Sequence, residues 1–124
     1  MNQIDWRSVL LECATMVDEN GPHYFVAFQT PGPNWAKGVR YNEQPEFMKH
    51  VGYMTELQEK GITVLSGPFM EQAGGLDGVL ADGGMTIFRA ADRDEAMRIG
   101  TDDPTVKSGM LNVDVKMLWV PFHE

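Results

Sequence analysis

Cysteine occurs once, at Cys13, so the chain cannot close a disulfide on itself, and a reducing, cytoplasmic setting is expected. No apolar run is long enough to cross a bilayer, and the first residues lack a basic segment followed by an apolar one, so neither a membrane span nor a signal peptide is expected. Positive charge is also scarce. Ten Lys and Arg face eighteen Asp and Glu, a formal charge of −8 with a pI near 4.7. That balance argues against a phosphate-backbone partner. The three histidines, His23, His50 and His123, share no ligand spacing, so no metal is expected. Glycine clusters between Ala73 and Gly84, but no Gly-Lys-Ser/Thr follows and the dinucleotide spacing is wrong. This stretch reads as a long hairpin loop with, at most, a short strand at 78–81, and no cofactor is expected.

What remains is an ordinary globular composition, 43% hydrophobic and 23% charged over 124 residues, enough for one domain with a core. Residues 1–21 form an N-terminal helical extension to that single domain. Within it, Asp5 to Glu19 reads as a helix with Trp6, Val9, Leu10, Cys13, Met16 and Val17 on its apolar face, stopped by Asn20-Gly21-Pro22. The segment 23–29 (HYFVAFQ) reads as a strand with apolar residues on both faces, so each face needs cover and a second sheet or second subunit is implied. Two prolines bracketing a glycine make Pro31-Gly32-Pro33 a loop, in which Trp35 either plugs the fold or lines a pocket. Pro45 suits the first turn of the helix that follows.

The stretch from Gln44 to Phe69 organises the chain. Phe47, Val51, Met54 and Leu57 recur at helical spacing, so one helix face should lie on a sheet. Gly61 stops the helix, and Ile62 to Leu65 reads as a buried strand running into Ser66-Gly67-Pro68-Phe69. His50 falls inside the apolar stripe. It is either a core histidine satisfied by a carbonyl or a general acid/base, and the second role needs a carboxylate to fix its tautomer.

Further on, 85–90 reads as a strand, Asp92 with Glu95 as a helix start, and Leu111 to Val120 as a strand with Val113, Val115, Met117 and Trp119 on one side. The order is a helix, then βαββαβ. This implies a ferredoxin-like α+β fold with a four-stranded antiparallel sheet and both main helices on one face. Asp103-Pro104 is a cap-and-first-turn signature. Since a carboxylate has two oxygens, Asp103 can cap a turn and face His50 together.

His50-x-x-Tyr53-Met54-x-x-Leu57, then Gly61, then Leu65 to Phe69, then Asp103-Pro104-x-Val106-x-x-Gly109 resembles the YCII-related (YciI-like) family. Pro31 to Trp35 and Glu43-Gln44-Pro45 are similar to its longer members, and the resemblance covers roughly Tyr24 to Phe122. It implies a dimeric α+β barrel, a homodimer joined through its sheets, and a catalytic His–Asp pair at His50 and Asp103. Some members are linked to breakdown of substituted aromatic compounds. The first helix and the longer first loop depart from the shorter members.

The expected activity is acid/base chemistry without a cofactor, an elimination, an isomerisation or the degradation of a small cyclic or aromatic compound. His50 is the general base, Asp103 its orienting partner, and Ser66, Gly67, Pro68 and Trp35 the substrate contacts. Ser66 serves as a nucleophile only if held within hydrogen-bond reach of His50. The alternative is a dimeric small-ligand binder in which the pair is structural.

Overall fold

A computed structural model describes residues 3–12 and 17–124, leaving aside the side chains of Leu10 and Leu76. Helix α1 spans Trp6–Glu12 and strand β1 His23–Pro31; after the loop come α2 (Phe47–Glu59) and β2 (Thr63–Gln72). Strand β3 (Val79–Phe88), helices α3 (Arg93–Thr101) and α4 (Pro104–Lys107), and strand β4 (Leu111–Trp119) complete the chain. The strands form one antiparallel sheet in the order β2-β3-β1-β4, the ferredoxin-like arrangement that the element order implies.

Alternation along β1 divides the sheet. Phe25 and Ala27 pack with Phe88, Ala96 and Val115 into the core under the helices. Tyr24, Val26 and Phe28 belong to the opposite face, where Val26 pairs with Ile87 and Ile87 with Leu65. Asp92 caps α3 by accepting the Glu95 N–H at 2.8 Å. Gly100 lets that helix settle closely on β4, because a Cβ there would lie 2.8 Å from a Val115 methyl. The Tyr53 hydroxyl donates to the Ile99 carbonyl at 2.6 Å and ties α2 to α3. Its phenol is pushed up to about 12 by burial and then by the charges of Asp102, Asp103 and Glu56.

Four sequence expectations need correction. The strand after Gly61 does not end at Leu65 but runs through Ser66-Gly67-Pro68 to Gln72. It lies at the sheet edge, where proline's missing N–H removes no interior ladder bond, and it shifts register after Thr63, Pro68 and Met70. The second half of the glycine-rich stretch is strand, since β3 starts at Val79. Its glycines answer close approach: a Cβ on Gly83 would lie 2.3 Å from the Gln29 carbonyl oxygen, and one on Gly84 2.6 Å from that of Gly67. The first helix stops short of Glu19, because Val17 and Asp18 are not helical; Cys13 and Met16 lie outside the described residues. Helix α2 begins at Phe47, so Pro45 belongs to the turn before it.

The stretch before β1 is clipped to the C-terminal residues. The Asp18 N–H donates to the Pro121 carbonyl at 2.8 Å, and His123 Nε2 lies 2.8 Å from Asp18 Oδ2. The bond to Asp18 raises the His123 pKa above its ordinary 6.5, and the bond to His123 lowers that of Asp18 below 3.8. A raised histidine stabilises fully below its ordinary value and loses that contribution as pH climbs through the raised one. A lowered aspartate stabilises above its ordinary value and loses that contribution as pH falls through the lowered one. The clip is therefore at full strength between about pH 4 and 6.5. NMR titration of the His123 ring should give a midpoint above 6.5 that falls towards that value in Asp18→Asn. A midpoint unaffected by the substitution contradicts the clip.

Candidate active site

Across the helix-bearing face the sheet pairs residues in rows. Phe25, Phe88 and Thr63 form the first row; Ala27, Thr86 and Ser66 the next; Gln29, Gly84 and Pro68 the third. The face thus changes from hydrocarbon to polar within two rows. At the polar end α2 stands off the sheet, and a cavity of about 220 Å³ opens between them. Phe47, Val51 and Met54 line its helix side, with Ser66, Gly67, Pro68 and Gly84 among its residues on the sheet. Gly84 contributes no side chain, which leaves the space above the third row open.

His50 lines the same cavity, with its side chain about one-eighth exposed. Its Nδ1 lies 2.5 Å from Asp103 Oδ2. Asp103 is 2% exposed, and its other oxygen accepts from the Thr105 N–H at 2.9 Å and the Thr105 hydroxyl at 2.7 Å. Two Thr105 donors already converge on this carboxylate, and an ionised carboxylate only accepts, so an imidazole beside it carries its proton on Nδ1. The neutral imidazole then presents Nε2 as its free acceptor. One aspartate both caps α4 and orients the ring.

The loop before α2 is braced by Gln44, buried at 4% exposure. Its carboxamide accepts from the Ala36 N–H and donates to the carbonyls of Ala36 and Val39. That bracing seats Tyr41, whose ring centroid lies 5.3 Å from Phe47 and 6.1 Å from His50. Burial, and secondarily the Asp103 charge, raises the Tyr41 phenol far above its ordinary value, so it stays protonated beside the imidazole. Glu46, at the head of α2, accepts from the Ser108 hydroxyl past the end of α4; that bond, with help from Lys49, lowers its pKa.

Of the residues singled out in the sequence, His50, Ser66, Gly67 and Pro68 line the cavity and Asp103 stands behind His50. Trp35 does not line it. Trp35 meets Tyr41 edge-on at 5.5 Å and helps close the loop cluster around Tyr41, Met110 and Leu111. Ser66 Oγ is 2.8 Å from Thr86 Oγ1, to which the buried Gln29 donates at 3.3 Å. Among the described residues no hydrogen bond joins Ser66 to His50, which leaves the nucleophile role without its base.

Sequence reasoning missed Gln29, Thr86 and Tyr41. Gln29 and Thr86 had a detectable signal: each is a polar residue on the inward side of an alternating strand. Tyr41 opens a single 3-10 turn between β1 and α2 and had none. Among the described residues no group of three possible metal ligands occurs, and no helix is long and apolar enough to span a membrane.

The sequence profile of the YCII-related domain matches residues 24–119. Among solved structures, the chain is similar to the 5-chloro-2-hydroxyhydroquinone dehydrochlorinase TftG of Burkholderia phenoliruptrix AC1100, determined in complex with 2,5-dihydroxybenzoquinone. The likeness has a TM-score of 0.56 at 21% identity and covers 75% of this chain and 90% of that one. No protein of curated function matches.

Removing Asp103 should separate its two duties in equilibrium urea unfolding. Asp103→Ala strands the His50 and Thr105 donors and should cost about 3 kcal/mol. Asp103→Asn keeps an oxygen for the Thr105 cap and should cost about half as much. Equal losses would contradict the division between the two oxygens.

Proposed function

The chain belongs to the family of YCII-related domains, and from that membership we propose that it is a small-molecule enzyme in which His50 is the general base and Asp103 its positioning partner. The observation that carries this reading is the 2.5 Å contact between His50 Nδ1 and a buried carboxylate, at the wall of a cavity with apolar sides and a polar floor. Such walls suit the faces of a ring, and the Ser66 hydroxyl and Gln29 carboxamide among the lining groups suit its oxygen substituents. The substrate class is a hydroxylated aromatic or quinonoid ring, a choice supported by the dehydrochlorinase activity of TftG and the dihydroxybenzoquinone bound to it.

The proposed reaction begins when Nε2 removes a proton from a ring hydroxyl. The electron pair of that O–H bond forms a carbonyl, and the ring takes up a proton at the carbon bearing the leaving group. That carbon becomes tetrahedral, so loss of a second hydroxyl proton can expel the leaving group with its bonding pair. For a chlorinated trihydroxybenzene the sum is one HCl lost and one hydroxyquinone formed. The ring's oxidation is matched by departure of chloride, so no external oxidant enters. The protonated imidazole beside Asp103 holds the proton between steps, and the neutral phenol of Tyr41 stands 6.1 Å from the imidazole ring centre to centre.

The test is chloride release from 5-chloro-2-hydroxyhydroquinone without oxygen. The wild type should accelerate it, and His50→Gln should lower kcat by about 10²- to 10⁴-fold. Ser66→Ala should mainly raise KM. Ring binding with no acceleration would instead favour a non-catalytic binder.

We also propose a homodimer. On the sheet face away from the helices, Leu65 is 52% and Leu118 37% exposed, with the half-buried Ile87 paired to Leu65, an apolar surface that a second copy would cover. A cytoplasmic location fits the lone cysteine. Light scattering at micromolar concentration should give twice the 13.9 kDa chain mass, and a monomer mass contradicts the dimer.

A further inference from the structure

We infer that the site does not end at the ring pocket but continues, past Phe47 and Pro68, into an apolar chamber that takes a hydrocarbon substituent on the substrate. The inference rests on the ring-binding reading above and extends it. The pocket beside His50, at about 220 Å³, is smaller than the roughly 300–1,000 Å³ usual for ligand sites. A second cavity of about 820 Å³ lies next to it, and Phe47 and Pro68 line both. Its remaining side chains include Met48, Met70, Ala73 and Leu80, with Asn42 the one polar side chain among its lining residues.

The geometry that makes the chamber is local. Strand β2 shifts register on either side of Met70, where an edge strand bends and re-aims its side chains. The turn that follows folds back on itself: Gly74 and Gly75 have φ of +150° and +57°, and a Cβ on Gly78 would lie 2.3 Å from the Met70 methyl. The hairpin end becomes a wall facing the first turn of α2. Met48 is 72% exposed on that turn, and methionine's flexible thioether adapts to ligands of varied shape.

The occupant follows from position. The chamber has α2 for one wall, so it lies on the helix-bearing side of the sheet, away from the face proposed for the dimer. Its neighbour is the pocket that holds the imidazole and the polar floor. A molecule with its oxygenated ring over Ser66 and Gln29 therefore directs a substituent between Phe47 and Pro68 into hydrocarbon surroundings. Each methylene fully buried there should raise affinity about fourfold.

Calorimetric titration with 2,5-dihydroxybenzoquinone and its 3-hexyl derivative tests this, using wild type, Met48→Asp, Ala73→Trp and His50→Gln. Met48 and Ala73 are exposed, so charging one or enlarging the other leaves the core intact. The hexyl compound should bind wild type at least about tenfold more tightly than the parent. Met48→Asp and Ala73→Trp should each remove most of that gain, with the parent's affinity changed less than about twofold. A hexyl compound that gains nothing overturns the chamber, as does a gain that survives both substitutions or a failure of either compound to bind. If the gain is present and sensitive to Met48→Asp, while His50→Gln weakens neither compound, the chamber stands and the ring reading fails.

Discussion

The site depends on the Asp103 carboxylate, which is buried at 2% exposure and shared between the cap of α4 and the His50 imidazole. A buried carboxylate is costly unless its lone pairs are filled. Here the backbone and hydroxyl of Thr105 fill one oxygen and His50 fills the other. Because the cap fixes the carboxylate and the carboxylate fixes the imidazole, the ring's orientation is set by the start of α4. The Glu46–Ser108 bond holds the end of α4 to the head of α2, the helix that carries His50.

The sheet supplies the other half of the site through its rows. Moving from Phe25 and Phe88 to Thr86 and Ser66, and then to Gln29 and Gly84, the helix-bearing face passes from core to cavity floor. The same antiparallel pairing that stabilises the sheet brings Gln29, Thr86 and Ser66 together although they lie on three strands. Gly84 is required twice there: β2 comes too close for a Cβ, and a side chain in that row would intrude on the space below α2.

Much of this was legible in the sequence because it is encoded locally. The stripe of Phe47, Val51, Met54 and Leu57 placed His50 on the inner side of α2, and Asp103-Pro104 announced a capped turn. The βαββαβ order was enough for the sheet topology. What escaped was set by distant partners. Ser66-Gly67-Pro68 looks like the end of a strand until β3 is seen to pair with it, and the glycines of 73–84 look like a loop until the close approach of β2 and β1 is known. Trp35 and Tyr41 illustrate the same limit. Both are loop aromatics, and only the Gln44 bracing decides that Tyr41 meets the imidazole while Trp35 packs behind it.

The central claim is that Asp103 holds the His50 proton on Nδ1 and so frees Nε2 for chemistry. Nitrogen-15 NMR of the histidine rings reads this directly at a pH where the imidazole is neutral. His50 in the wild type should show a protonated Nδ1 and an unprotonated Nε2, with that preference lost in Asp103→Ala. A wild-type His50 carrying its proton on Nε2 would contradict it.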